Sequence, residues 1–600
     1  MSGMSEKKRS APKPKPPASD APAKDRKAAP AKAPAAAKAA ARNPAARTSP
    51  PPAVPKAGGS TAATPKAASP KAGGPKAAAP KTAASKPSAP KIAAVKRPAA
   101  AAVSAVAAAS ASTAPLHVVM VASEAHPFAH TGGLAEVMAA LSDALGKLGH
   151  RVTLVLPRYR SVAAEDTPVE RCTLTFGHQE VAVSFHTGRE RGGVTPVFVD
   201  SPGLFDRDGL YGDGHGDFQD NAWRFAVFSR AALEYLRLRG ERPSIIHAHD
   251  WQAGLVPVFQ KMQLSHDPIV GRVPVIFTIH NLAFQGVFPP TTLPAVGLGW
   301  EVMDVQALEY WGQISYLKGG INFSERVTTV SPAYAHEILT PQLGFGLDGT
   351  LQRRAADLRG ILNAIDVSRW NPAQDDLIGT SFSAADLTGK ARAKEQLLQA
   401  VGLPVDAAAR RRPVIGLISR LTHQKGFDVL AAALDELMEL DATWVLLGSG
   451  DHEYEEAWRA LAVRHAARVS TTIGYDERLA HQIEAGADIF LMPSRYEPCG
   501  LNQFYSLRYG TVPIVHATGG LRDTVRDVGE PGPNGLKFSD FSPAGLVAAV
   551  RRALDLFHKP SEWKQLQLAG MKDDHSWDVS AREYVKVYEE AAFELSPEAP

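Results

Sequence analysis

The sequence predicts an α/β protein of two doubly wound parallel-sheet domains with a cleft between them, preceded by a disordered tail. Three observations predict it. An apolar run, "LHVVMVA" (Leu116–Ala122), is followed by Leu134, Val137, Met138, Leu141, Leu145 and Leu148 at helical spacing, then by "RVTLVLP" (Arg151–Pro157): strand, helix, strand. The alternation returns at "PVIGLIS" (Pro413–Ser419), with Phe427, Leu430, Leu434, Leu437 and Met438 on one helical face and "TWVLLGSGD" (Thr443–Asp451) as the next strand. Between the two blocks, at "GILNAIDVSRWNP" (Gly360–Pro372), the alternation lapses, and this stretch is read as the hinge. The boundaries that follow are a tail over 1–115, a first domain over 116–372 and a second over 373–600, whose last helix is expected to pack back on the first domain.

The tail stands apart by composition. Residues 1–115 hold 21 Lys and Arg against 3 Asp and Glu, with no aromatic residue, so they lack the apolar surface that would offset the entropy of ordering. Subtracting them from the 66 basic and 62 acidic residues of the whole chain leaves 45 and 59, so the tail carries +18 and the body −14. The body gives no sign of a nucleic-acid-binding face, and its 485 residues suit two cores rather than one. Two distant cysteines, Cys172 and Cys499, suggest a reducing compartment. No segment reads as membrane-spanning, so a cytoplasmic protein is expected, with an organelle transit peptide as the alternative reading of the Ala-rich leader.

In open α/β sheets, ligands bind in the crevice beyond the carboxyl ends of the strands, so the loops there carry the information. The first, "HTGGLAEV" (His130–Val137), places Gly132 and Gly133 where a strand turns into a helix, a joint suited to an anion. "IIHAHDWQAG" puts Asp250 at a strand end; His247 and His249 are expected to point to opposite faces of that strand, which argues against a metal. "TIHNLAFQG" puts His280 at the next strand end. "SRLTHQKG" brackets a turn with Arg420 and Lys425 before a helix, a fork of donors and a movable point charge that together suit a diphosphate. "PSRYEPCGLNQFYSLRYG" holds Glu497 before Pro498 and opens a helix; "HATGGLRDTV" repeats the double glycine at Gly519 and Gly520. No Asp-x-Asp pair stands where it would hold a metal on a diphosphate, so no metal and no cofactor is expected.

Together these loops resemble those of the bacterial glycogen synthases and plant starch synthases, retaining glycosyltransferases with the two-domain, Rossmann-like GT-B fold. The resemblance runs from about Leu116 to about residue 590 and rests on "HAHDWQAGL", "FTIHNLAFQG", "SRLTHQKG" and "PSRYEPCGLNQ" occurring in the family's order. It implies active-site roles for His280 and Asp250, diphosphate binding by Arg420 and Lys425, and a place for Glu497 beside the transferred glucose. It implies further that Tyr475 of "IGYDE" stacks on the adenine, and that His130, Thr131, Gly132, Gly133, Cys499, Gly500, Leu501, Gly519 and Gly520 line the substrate site. The implied donor is ADP-glucose and the implied acceptor an α-1,4-glucan such as glycogen; the basic tail has two readings, contact with nucleic acid or another polyanion, or simply keeping the protein soluble.

Three positions depart from the family pattern. His130 stands where the family has Lys, Glu136 where Asp is commoner, and Asn363, Ala364, Ile365 and Asp366 where the hinge reads Asn-Gly-Val-Asp. The first removes a permanent positive charge from a site expected to face the donor phosphates. The competing readings are a GT-B transferase using UDP-glucose and a non-catalytic glucan-binding protein.

Overall fold

Strands of a parallel sheet covered on both faces must be apolar nearly end to end. His117–Val121, Ile245–His249 and Val275–Ile279 are buried at every residue, the polar exceptions being His117, His247, His249 and Thr278. In the computed structural model, which describes residues 115–162, 169–213 and 216–595, they form the centre of a nine-stranded sheet. Its spatial order is Leu358–Gly360, Arg326–Thr329, Val275–Ile279, Ile245–His249, His117–Val121, Arg151–Pro157, Val194–Asp200, Gln179–Thr187 and Val169–Phe176. The first seven run parallel, and the last two fold back as an antiparallel hairpin at the edge.

The second sheet has six strands, all parallel, ordered Val469–Ile473, Thr443–Gly448, Val414–Ile418, Ile489–Met492, Val512–His516 and Leu536–Phe538. The strand order reverses beside Val414–Ile418, whose outgoing loop is "SRLTHQKG" and whose neighbour Ile489–Met492 leads into "PSRYEPCGL". The diphosphate loop and the Glu497 loop therefore leave adjacent strands at the switch point of the sheet, where such sheets bind ligands. The expected α/β class with two doubly wound sheets is what folds; the tail expected over 1–115 falls on residues 1–114, which lie outside the described residues.

The chain crosses between the sheets more than once. Trp370, in the stretch read as the hinge, is stacked between the His481 ring at 3.8 Å and the Tyr505 ring at 3.7 Å. Asp375 accepts hydrogen bonds from His481 Nδ1 at 2.7 Å and Tyr509 Oη at 2.5 Å, fixing the same segment to the second domain. The helix Trp577–Glu594 returns to the first sheet, where Trp577, Ala581, Tyr584 and Val587 pack among Val118, Met120 and Ile276. Tyr588 there makes a 2.8 Å hydrogen bond with His247 Nδ1. A third, small sheet of Val287–Phe288, Gln313–Ser315 and Glu309–Tyr310 is antiparallel and lies beyond the strand that ends at His280.

Two helices join the domains by capping each other. Glu337, the last residue of the helix Pro332–Glu337, accepts from the Gly519 N–H at 3.0 Å, while Asp523 of the helix Gly519–Thr524 accepts from the Ala333 N–H at 2.8 Å. Each helix thus lends a carboxylate to the positive end of the other.

Candidate active site

Asp250 is the most strained of the expected residues. Its φ of 56° and ψ of −177° lie in a region that only glycine adopts at ease. The carboxylate accepts the His280 N–H at 2.8 Å, so the strained backbone brings the ends of two neighbouring strands together. Burial, with the Glu124 carboxylate adding to it, raises its pKa to about 7, against the pull of the His280 and Asn281 amides.

Beside it, His280 Nε2 and His249 Nδ1 are 3.1 Å apart, and the His249 and His247 rings have centroids 4.0 Å apart. The expectation that His247 and His249 face opposite ways therefore fails, because residues two apart on a strand share a face. They are no metal pair for a different reason: His247 spends Nδ1 on Tyr588 and Nε2 on the Thr278 hydroxyl at 2.6 Å. Desolvation holds His280 and His247 down at about 3 and His249 well below the usual imidazole range, so all three are neutral near pH 7. Among the described residues no group of three or more His, Cys, Asp or Glu is placed to hold a metal ion.

Glu124, just past the first strand, was not singled out by the sequence, and neither was Tyr211. The buried Glu124 carboxylate accepts from the Thr131 N–H, from the Thr131 hydroxyl at 2.8 Å and from Tyr211 Oη at 2.5 Å. Thr131 thus anchors the "HTGG" turn rather than offering its own amide outward. Gly132 and His130 are left exposed, and a Cβ on Gly132 would meet nothing within 4 Å. A Cβ on Gly133 would lie 3.6 Å from the Leu501 side chain, so this turn touches the "EPCGL" loop of the other domain.

On that side, Lys425 Nζ donates to Glu497 Oε2 at 2.6 Å, and the Ser494 hydroxyl donates to the same oxygen at 2.8 Å. Glu497 is only 5 % exposed and Lys425 is partly so, and the two form one largely buried ion pair between the loops at the switch point. Arg420 is exposed, with Gln424 Oε1 3.4 Å from its Nη2. Gly500 and Leu501 lead into the helix Asn502–Arg508, which no side chain caps. Tyr496, next to Glu497, meets the Phe345 ring at 5.4 Å, and Ser331 Oγ donates to the Pro498 carbonyl at 2.6 Å.

Three of the expected residues, Cys499, Gly519 and Gly520, are buried. The Cys499 thiol is buried, and burial pushes it far above its ordinary range, so it packs rather than reacts. Gly519 and Gly520 do not mirror Gly132 and Gly133. The Gly519 N–H is taken by Glu337 and the Gly520 N–H by the Glu497 and Pro498 carbonyls. The missing Cβ atoms serve a different purpose: one on Gly519, at φ +44°, would stand 1.9 Å from the Glu497 carbonyl, and one on Gly520 2.3 Å from that of Cys499. These glycines let a helix press against the backbone that holds Glu497. Gly519→Ala is accordingly expected to lower stability by about 3 kcal/mol and to cut activity with it. Gly132→Ala should leave the melting temperature unchanged, because a Cβ there meets nothing; thermal melts of both variants check the contrast.

Tyr475 is 74 % exposed, on the loop after the strand Val469–Ile473. Two residues on, Glu477 pairs with Arg369 at 2.5 Å, and Arg369 also holds Glu136 of the "HTGGLAEV" helix at 3.1 Å. The hinge arginine thereby ties the first glycine turn to the loop that presents Tyr475.

A family model described as "Starch synthase catalytic domain" matches residues 117–353, and one described as "Glycosyl transferases group 1" matches residues 405–566. A glycogen synthase of Anaeromyxobacter dehalogenans is 49 % identical over 478 residues, covering 79 % of this chain and 98 % of that protein. A glycogen synthase of Koribacter versatilis is 46 % identical over 481 residues, with 79 % and 98 % covered. Among solved structures, the catalytic domain of starch synthase IV from Arabidopsis thaliana, bound to ADP and acarbose, superposes with a TM-score of 0.73 at 33 % identity, over 80 % of this chain and all of that one.

Proposed function

The chain belongs to the family of bacterial glycogen synthases and starch synthases, glycosyltransferases of GT-B fold that join a nucleotide-sugar donor to a glucan acceptor, and we propose how its residues divide that reaction. The donor is ADP-glucose, and the glucosyl group passes to the non-reducing end of an α-1,4-glucan with its anomeric configuration kept. The observation that carries the assignment is the Lys425–Glu497 pair at 2.6 Å at the switch point of the second sheet, with Asp250 and His280 joined at the strand ends of the first. The ADP in the Arabidopsis relative supports the nucleotide.

Lys425 and Arg420 meet the negative charge that grows on the departing diphosphate, and the first turn of the Asn502–Arg508 helix adds backbone amides. Gly132 lets the backbone approach the phosphates, and Tyr475 stacks on the adenine. Glu497 and the neutral His280 hold the sugar hydroxyls. The acceptor hydroxyl attacks the anomeric carbon from the face the diphosphate leaves: the new C–O bond forms, the C–O bond to phosphate breaks, and the hydroxyl proton passes to the departing phosphate oxygen. No protein nucleophile is required. A cavity of about 540 Å³ lined by Trp251, Phe284, Phe288, Tyr310 and Phe345 opens beside Asp250 and receives the acceptor. The +18 charge of residues 1–115 suits salt-dependent contact with a polyanion, and a cytoplasmic location fits the absence of any helix, among the described residues, long and apolar enough to cross a membrane.

Purified protein with glycogen and radiolabelled ADP-glucose or UDP-glucose, with and without residues 1–114, tests the reading. Label should enter polymer from ADP-glucose and not from UDP-glucose, with or without the tail; incorporation from neither donor refutes it. In the same assay His130→Ala should change turnover less than tenfold, and His130→Lys should lower the donor KM by restoring a fixed charge.

A further inference from the structure

We propose that Trp311 is a remote platform for the acceptor glucan, holding the chain several units away from the end being extended. The inference rests on the acceptor reading of the neighbouring cavity and begins from a residue that makes no sense as structure alone. Trp311 and Gly312 are the two turn residues between the strands Glu309–Tyr310 and Gln313–Ser315, with φ of 51° and 77°. Two positive values define the hairpin turn that favours Asn-Gly. A bulky indole at the first position is strained, and here nothing buried compensates, because Trp311 is 80 % exposed.

The surroundings say what the ring is for. Tyr310, the preceding residue, lines the aromatic cavity that is also lined by Trp251, next to Asp250 in the chain. The Tyr310 hydroxyl and Gln285 Nε2 both donate to the Phe345 carbonyl, at 2.8 and 2.9 Å, which braces the base of the hairpin against the cavity wall. The indole lies along the next residue: a Cβ on Gly346 would stand 3.1 Å from Trp311 Nε1. Phe284 and Val287, on the same cavity, are also more than a third exposed. The cavity that Trp251 and Tyr310 share therefore adjoins a turn that holds an indole out in water. A linear glucan presents alternating apolar C–H faces and hydroxyl edges, and suits such a surface. An indole face covers the C–H face while its N–H remains free to meet a hydroxyl.

The prediction separates chain length from chemistry. With Trp311→Asn, which gives the turn its preferred pair, KM for glycogen should rise about fivefold. KM for ADP-glucose and the rate on maltotriose should stay within about twofold, and the melting temperature should not fall. Trp311→Phe should retain most of the preference for glycogen. Equal losses on glycogen and maltotriose would show that Trp311 only supports the loop, and no loss on either would show that no glucan touches it; both overturn the proposal. If the unaltered protein transfers glucose to neither acceptor, it is the function that fails, and retardation in glycogen-containing native gels still decides the platform. There Trp311→Asn must migrate faster than the unaltered protein, and equal retardation overturns the proposal.

Discussion

Lys425→Ala is expected to lower kcat for transfer from ADP-glucose by about 10²- to 10³-fold, the usual loss when one fixed donor to a developing anion is removed from a closed cleft. The same substitution also leaves Glu497, 5 % exposed, without its counter-charge. Breaking a buried pair from one side costs more than the pair itself contributes, here about 2 kcal/mol because Lys425 retains some contact with water. The two effects come apart in Lys425→Ala combined with Glu497→Gln. The second change removes the stranded charge and should restore most of the melting temperature without restoring turnover. If Lys425→Ala costs no further turnover in the Glu497→Gln background, Lys425 only holds Glu497 in place, and its assignment to the diphosphate is wrong.

Asp250→Asn should cost about 10²-fold or more in kcat, on the reading that an ionised carboxylate offsets positive charge growing on the transferred sugar. The test lies in the pH profile. With a pKa of about 7, the carboxylate fraction rises through neutrality, so the unaltered enzyme should gain activity as pH climbs from 6 to 8, and the variant should lose that limb. Stability must move the other way. The folded pKa is raised above the ordinary 3.8, so the contribution of the neutral carboxyl is full below that value and is lost as pH rises through about 7. The Asn variant lacks this loss and should melt at a higher temperature relative to the unaltered protein at pH 8 than at pH 5. A variant that keeps the rising limb shows that another group titrates there.

Much of this is legible in the amino-acid sequence. Asp250, His280, Arg420 and Glu497 each follow a buried apolar run, so their place at strand ends came from local pattern. What pattern does not carry is who meets whom. Lys425 and Glu497 lie 72 residues apart, Glu124 and Tyr211 lie 87 apart, and nothing near either pair announces its partner. Glu124 could have been suspected from its place directly after the first strand, by the same rule that found the others. The two double glycines look alike in sequence and differ in use, because whether a missing Cβ serves a ligand or a neighbouring carbonyl depends on what packs above it. The strain at Trp311 is likewise invisible without φ.

The return of Trp577–Glu594 to the first sheet bears on how the protein is made. His247 leaves the ribosome 341 residues before Tyr588, its hydrogen-bond partner. At common synthesis rates that is a delay of roughly 20 to 70 seconds. Throughout it, the strand face that carries His247 and adjoins His249 and His280 lacks its cover. The first domain is thus unfinished until the second has been translated, and a nascent chain carries no completed active site, however much of its catalytic sequence has already emerged.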